Sequence, residues 1–131
     1  YEIRNPYFKT SSSPKDITTV KNASDEVAVF EGFIDFLSFK SIGENEKNKT
    51  PDFVILNSLS LFEKARPFLE SHRSINLYLD NDAAGKKVAR EVLSHSKKYN
   101  DHSKLYQSYK DLNDWLIHIG KQQKKRLGNK L

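Results

Sequence analysis

Cysteine and methionine are both absent from the sequence. Without cysteine the protein cannot form a disulfide, ligate zinc through thiolates or use a cysteine nucleophile. No apolar run approaches the roughly 18 residues that a membrane-spanning helix needs, and no signal-peptide pattern opens the chain. We therefore expect a cytoplasmic protein that does not enter a membrane. Because methionine is missing even at position 1, where Tyr1 stands, we also expect the sequence to be a segment of a larger protein.

The composition is sufficient for one small domain. A chain of 131 residues leaves little room for a second domain, and eight Phe, six Tyr and one Trp offset a hydrophobic fraction of only 37%. The formal net charge of +5 would suit an anionic partner such as nucleic acid. This charge lies wholly in residues 121–131, which hold five basic residues and no acid, so the rest of the chain is neutral overall. We predict a basic tail or linker at 121–131.

Apolar runs and helical patterns alternate along the chain from residue 26 onward. The runs predict buried strands, and the spacing of apolar residues between them predicts helices. Strands are predicted at 27–30, 53–56, 75–79 and 105–106, and helices at 33–42, 83–96 and 111–127, with one more helix starting at the capping box of residues 60–63. This alternation favours an α/β fold with a mainly parallel sheet of about four strands, flanked by helices. We divide the chain into an N-terminal β extension at 1–25, with strands at 1–4 and 17–20, a main domain at 26–120 and the tail.

Acidic residues follow three of the four strands predicted in the main domain. Glu31 comes after the first strand, Asp80 and Asp82 after the third, and Asp111 and Asp114 after the fourth. In open parallel sheets, ligands bind beyond the carboxyl ends of the strands. Clustered carboxylates repel one another unless a cation neutralises them, and hard oxygen donors suit Mg²⁺ or Mn²⁺. We therefore predict that Glu31, Asp80 and Asp82 bind Mg²⁺ or Mn²⁺.

Each of these residues, taken alone, also has an ordinary structural explanation. Asp82 is equally well placed to cap the helix that follows it, and Asp114 to favour the dipole of the closing helix. Gly32 would simply permit a tight turn, and Gly85 the close packing of a helix. The four histidines share no spacing that indicates a metal site, so we expect ordinary surface or half-buried roles for them. The predicted site therefore depends on the combination of acids.

The acidic residues form motifs that resemble those of the Toprim domain. E-G-x-x-D spans 31–35 and D-x-D-x-x-G spans 80–85, each after a predicted strand, in the family's order and about fifty residues apart. The K-D-x-N-D element at 110–114 resembles the third acidic motif of the primase branch. The lead-in at 1–5 and the run at 30–37 are similar to Toprim proteins of bacterial mobilisable elements, often called mobilisation or primase-like proteins. The resemblance covers most of the chain and implies a Rossmann-like Toprim fold.

The resemblance also implies a function. It indicates a metal-dependent nucleotidyltransferase domain of the DNA primase kind, which acts on DNA or nucleotides beside other domains of a larger protein. Glu31 would be the general acid or base, or a further metal ligand, while Asp80 and Asp82 would bind the divalent ion. Asp111 and Asp114 would extend the site toward a second ion.

Further residues would support this site or contact phosphate. Asp35 would orient its neighbours, with Gly32 and Gly85 in supporting positions. Contacts with phosphate or nucleic acid are expected from Asn57, Ser58, Lys86 and Lys110. A helix cap explains Ser58 as well, and a solvated helix face explains Lys86.

Three other functions stay open on the sequence alone. The chain would suit a Toprim nuclease, or a non-catalytic Toprim module for DNA binding or assembly. An aspartate-nucleophile phosphatase or a receiver-like domain is less expected, because those phosphatases carry D-x-D after their first strand and here it follows the third.

Overall fold

The computed structural model describes residues 16–43 and 50–129. The strand predicted at 1–4 lies outside the described residues. Five strands and four helices follow one another in the order β1 (Thr18–Val20), β2 (Glu26–Phe30), α1 (Phe33–Gly43), β3 (Asp52–Ile55), α2 (Phe62–Glu70), β4 (Ser74–Tyr78), α3 (Ala83–His95), β5 (Tyr99–Asp101) and α4 (Leu112–Asn129). Short 3₁₀ turns at Leu59–Leu61 and Ser103–Tyr106 precede α2 and α4.

The strands form one sheet in the order β1-β3-β2-β4-β5. Strands β3, β2, β4 and β5 are parallel, and β1 adds to the β3 edge in the antiparallel sense, with Thr18 opposite Ile55. The prediction of a mainly parallel α/β sheet with a short N-terminal β extension is confirmed. Because all four parallel strands end at one edge, the segments that follow them are brought together there.

Strand β2 is apolar on both faces because helices cover both faces of the sheet. In β2, Val27 and Val29 point into one core cluster, whereas Ala28 and Phe30 point into the other. All four side chains are buried. Successive side chains of a strand point to opposite faces of the sheet. Because both faces are buried here, the segment is an unbroken apolar run.

The helices divide between the two faces of the sheet. Phe62 and Leu69 of α2, and Val92 of α3, pack in the first cluster. Phe36 of α1 and Leu112 of α4 pack in the second. Strands β2 and β3 are thus enclosed between two helical layers. The strand ends are where a site is expected in such a sheet.

Two sequence predictions of local structure are wrong. The last strand is Tyr99–Asp101, and the predicted strand at 105–106 is part of the 3₁₀ turn. The ring of Tyr106 packs in the second core cluster, which explains the large aromatic side chain at this position. Its hydroxyl donates to the Leu79 carbonyl over 2.7 Å. The capping box at 60–63 is also absent, since α2 begins at Phe62 behind a 3₁₀ turn and has no side-chain cap.

The closing helix extends further than predicted. It runs to Asn129, so most of the segment predicted as a basic tail is helical in its backbone. Within the described ranges, no helix combines the length and apolar character needed to cross a membrane.

Candidate metal centre

Three aspartates from three separate elements meet at the carboxyl edge of the sheet. Asp35 lies in the first turn of α1, Asp80 follows β4, and Asp111 immediately precedes α4. One carboxylate oxygen from each lies within 4.8 Å of the other two. Strands β2 and β4 are neighbours in register, with Phe30 opposite Tyr78, and this pairing places the segments after them side by side.

Backbone amides hold two of these three carboxylates. The Asn113 amide donates to Asp35 Oδ1 over 3.1 Å, and the Asp114 amide donates to Asp111 Oδ1 over 2.8 Å. Asp80 differs, because its buried Oδ1 has no hydrogen-bond partner within the described part of the chain. A buried polar atom without a partner is costly. Beside two further carboxylates, this oxygen marks a position that a cation would stabilise.

Glu31 lies beside these aspartates and is held by Asp80. Its Oε2 accepts a hydrogen bond from the Asp80 amide over 2.6 Å. Its own carbonyl accepts the Asn57 amide over 2.9 Å, which continues the β2–β3 ladder past the end of the strands. The side chain of Glu31 is therefore fixed where β2, β3 and β4 end.

Burial raises the pKa of three carboxyl groups at this edge. It raises the pKa of Glu31 to about 7, and the negative charge of Asp80 adds to the effect of burial. The pKa of Asp35 and that of Asp80 both rise to about 6, first through burial and then through the charge of Asp111. Burial is the largest cause at all three groups, and repulsion between the acids adds to it.

Asp82 and Gly85 are tied together at the start of α3. The Asp82 carboxylate accepts the Gly85 amide over 2.7 Å and thereby caps the helix. A Cβ on Gly85 would clash with the Asp80 carbonyl oxygen and lie 3.2 Å from Glu31 Oε2. Both alternatives considered for these residues are thus observed, since Asp82 is a helix cap and Gly85 permits close packing against the site.

The donor set fits a hard divalent cation. Three carboxylate oxygens from Asp35, Asp80 and Asp111 are the ligands that Mg²⁺ or Mn²⁺ prefers, with coordination positions left for water and phosphate oxygens. The trio predicted from the sequence was Glu31, Asp80 and Asp82. The geometry unites Asp80 with two other aspartates, whereas Glu31 and Asp82 lie outside this trio.

Sequence comparison identifies the family to which this fold and site belong. The Toprim-like family model matches residues 28–116, which is well over half of the chain. The chain belongs to the Toprim-like family. Among curated protein sequences, none matches it.

The Toprim fold is also found in two solved bacteriophage T7 structures. The primase fragment of the T7 primase-helicase protein matches with a TM-score of 0.60 and 21% identity, over 90% of this chain and 49% of that one. The second structure holds the T7 lagging-strand DNA polymerase with the primase domains of two subunits bound to an RNA/DNA hybrid and dTTP. It matches with a TM-score of 0.60 and 20% identity, over 91% of this chain and 61% of that one. The Toprim chain thus spans about half the length of the first and less than two thirds of the second.

The residues after β3 have structural partners. Asn57 adopts a left-handed backbone, with φ of 65°. Its side-chain amide donates to the Asp16 carbonyl over 2.7 Å and to Thr18 Oγ1 over 3.1 Å, which anchors the N-terminal strand. The Ser58 hydroxyl lies 2.8 Å from that of Ser60 and caps no helix. Phosphate contacts by Asn57 and Ser58 stay predictions.

The other predicted residues lie around the Toprim site. Asp114 is partly exposed and its carboxylate lies 3.5 Å from His118 Nδ1. Lys86 and Lys110 are exposed. The charge of Lys110 partly offsets the rise in the pKa of Asp80. A Cβ on Gly32 would lie 4.0 Å from Asp35 Oδ2, so its position does not require glycine.

Two asparagines within the acidic motifs were not predicted to matter. Asn113 links α1 to α4, since its amide binds Asp35 and its side-chain oxygen accepts the Ser38 hydroxyl over 3.0 Å. Asn81 makes three side-chain hydrogen bonds to the loop that leads to Asp111. The available signal was their position between the acids of each motif.

Proposed function

We propose that this Toprim domain binds Mg²⁺ or Mn²⁺ through Asp35, Asp80 and Asp111 and supports nucleotidyl transfer or phosphodiester chemistry on nucleic acid. The observation that carries the proposal is the carboxylate trio with the unpartnered Oδ1 of Asp80. The likeness to T7 primase structures supports the primase kind of chemistry over other uses of the same site.

The bound ion would supply neutralisation of phosphate charge and alignment of the reacting oxygens. The proton would be moved by Glu31, whose side chain is positioned by the Asp80 amide. Burial raises the pKa of Glu31 to about 7, so this carboxyl group is suited to hold or release a proton near neutral pH. Asp82 remains a predicted ligand of the divalent ion that Asp80 binds, and Asp111 with Asp114 remain the residues predicted to extend the site toward a second ion.

The start of α3 offers a surface for the phosphate backbone. Lys86, Lys87 and Arg90 are exposed on its first two turns, next to the capping residue Asp82. Together with the exposed Lys110, whose charge acts on Asp80, these cations would guide a polyanion to the acidic edge. DNA, with nucleotides as substrates, is the partner we propose.

The primase-like branch has a further consequence for the intact protein. T7 primase chains extend well beyond the part that this chain matches. We propose that the domain works within a larger cytoplasmic protein of a bacterial mobile element, as the mobilisation-type motifs suggest. Nuclease activity and non-catalytic DNA binding are the outcomes that would replace synthesis.

The metal site is tested by calorimetric titration with Mn²⁺. Wild type is expected to bind Mn²⁺ at this site, and Asp80→Asn to weaken binding by about tenfold or more. Asp25→Asn is the matched control, because Asp25 is an exposed acid whose carboxylate pairs only with Arg73 among the described side chains. Equal affinity in wild type and Asp80→Asn would refute the site.

The chemistry is tested on the full-length parent protein. Primer synthesis and nuclease activity are measured with Mg²⁺ and with EDTA, in wild type and in Asp80→Asn. We expect metal-dependent primer synthesis that Asp80→Asn abolishes. Metal-dependent cleavage without synthesis would assign the nuclease function, and an aspartyl-phosphate trapped from the chain would overturn the Toprim chemistry altogether.

A further inference from the structure

The middle residue of the D-N-D motif holds the loop that carries Asp111. The Asn81 side-chain nitrogen donates to the carbonyls of Tyr106 and Tyr109 over 2.8 and 3.0 Å, with the Ser103 carbonyl at 3.5 Å. The Asn81 backbone amide donates to the Lys110 carbonyl over 2.7 Å. One residue thus binds four carbonyls along residues 103–110, the segment that ends at Asp111.

The chemistry of these contacts requires an amide. An asparagine side chain has two N–H hydrogens, and the two short distances account for both. A carbonyl oxygen can only accept, so a carboxylate at position 81 would face several acceptors and repel them. Asp80 and Asn81 are adjacent, which means that the residue holding the loop is fixed to the same strand end as the central aspartate of the trio.

We propose that Asn81 is a positioning residue that places the Asp111 carboxylate against Asp80 and so completes the cation site. This inference rests on the proposed function, because the position of Asp111 matters only if the cation binds there. The hydrogen bonds of Asn81 to the loop do not require the ion. Asp111 lies at the end of a loop, whereas Asp35 lies within α1 and Asp80 closely follows β4. The loop is therefore the part of the site whose geometry needs a support of its own.

Two amides report on this placement without metal. The Asp114 amide binds Asp111 Oδ1 and the Asn113 amide binds Asp35 Oδ1. In metal-free protein, Asn81→Asp and the milder Asn81→Ala are expected to speed hydrogen exchange at both amides by about tenfold or more. Exchange at Ala65 and Leu69 in α2 should stay as in wild type.

The matched control is Asn100→Asp. The Asn100 side-chain nitrogen also has three acceptors, Ser74 Oγ, Asn76 Oδ1 and the Lys98 carbonyl, but it lies on β5 away from the trio. This variant should leave exchange at Asn113 and Asp114 unchanged. Unchanged exchange in both Asn81 variants, or an equal rise throughout the protein, would overturn the proposal.

Binding of Mn²⁺, followed by its electron paramagnetic resonance, gives the second readout. Asn81→Ala is expected to weaken binding about tenfold, as changes behind metal ligands commonly do, and to change the spectrum in the same way as Asp111→Asn. Should wild type bind no Mn²⁺, the proposed function fails and hydrogen exchange alone decides the role of Asn81. Wild-type affinity in Asn81→Ala, with weakened affinity in Asp111→Asn, would overturn the role while leaving the metal site intact.

Discussion

The carboxylate of Glu31 accepts a hydrogen bond from the backbone amide of Asp80 over 2.6 Å. This bond joins the ends of β2 and β4, two strands that are neighbours in the sheet but lie 49 residues apart in sequence at these positions. It fixes one oxygen of Glu31 and sets the proposed proton-transfer group directly beside the proposed metal ligand.

Replacing Glu31 by Gln tests its role as a proton-transfer group. A glutamine oxygen still accepts the Asp80 amide, so the fold and Mn²⁺ affinity should change little. Activity of the full-length protein should fall by roughly 10²- to 10⁴-fold, the usual contribution of a general acid or base. The dependence of the rate on pH near 7 should flatten as well, because the group whose pKa lies at about 7 is removed. Full activity in this variant would exclude Glu31 from the chemistry.

Gly85→Ala and Gly120→Ala should shift stability in opposite directions. A Cβ at position 85 meets the Asp80 carbonyl, so strain in a packed site should cost about 1–3 kcal/mol of unfolding free energy. A Cβ at position 120, within α4, meets nothing within 4 Å, so the higher helix propensity of alanine should add up to about 1 kcal/mol. Urea denaturation measures both. A stabilised Gly85→Ala would mean that the close approach is not as described.

The stability of the metal-free protein should rise as pH falls from 8 toward 5. Glu31, Asp35 and Asp80 have pKa values of about 7, 6 and 6, above their ordinary values near 4. Their ionisation opposes folding. This opposition is absent below the unfolded-state pKa and complete above the folded-state pKa.

Melting temperatures across this pH range test that expectation, with and without Mg²⁺. Mg²⁺ should stabilise the protein most at pH 8, where the carboxylates are charged. Asp80→Asn should be more stable than wild type at pH 8 without metal, because one of the repelling charges is gone. A metal-free protein whose stability increases steadily from pH 5 to pH 8 would contradict the electrostatics described for this edge.

At the amino ends of β3 and β4, on the side of the sheet away from the acidic cluster, His72 and Asp52 form a buried pair. His72 Nε2 lies 2.7 Å from Asp52 Oδ2, and Nδ1 donates to the Phe68 carbonyl over 2.9 Å. Asp52 also accepts the amides of Asn22 and Ser24. Burial by itself would raise the pKa of Asp52. The hydrogen bonds with His72 and these amides outweigh burial and hold the pKa below its ordinary value. Its stabilising contribution is therefore present above the ordinary pKa of aspartate and is lost in more acidic solution.

Removing one partner of this pair should be costly. His72→Ala is expected to lose about 3–5 kcal/mol of unfolding free energy, since a buried carboxylate loses its hydrogen-bonded side-chain partner. The exposed pair of Arg73 and Asp25 is the control, and Arg73→Gln should cost less than about 1 kcal/mol. Equal losses of unfolding free energy in the two variants, measured by urea denaturation, would show that the buried pair stabilises the protein no more than the exposed pair does.

Much of the fold follows from local pattern. Strands β2 and β3 were predictable as short runs buried on both faces, and β4 from its buried Ile75 and Leu77. The acidic residues that follow strands were visible in the sequence itself. Strand β5 was not, since Tyr99–Asp101 is three residues long and has one buried side chain. Tyr106 gave a false strand signal, because an apolar residue in a 3₁₀ turn also reaches the core.

The composition of the site was less predictable than its location. Asp35 joins the trio because the first turn of α1 carries it toward Asp111, a convergence that depends on helix phase and loop path. Sequence spacing does not determine either. Asn81 escaped notice for the same reason, as its partners are three carbonyls more than twenty residues away in the chain.

The most direct test of the cation site compares Asp35→Asn with Asp82→Asn in a Mn²⁺ titration. Asparagine at position 35 still accepts the Asn113 amide, and asparagine at position 82 still caps α3, so both variants should fold. Asp35→Asn is expected to weaken Mn²⁺ binding by about tenfold or more, and Asp82→Asn is expected to have a clearly smaller effect. Wild-type affinity in Asp35→Asn, together with a large loss in Asp82→Asn, would contradict the proposed cation site.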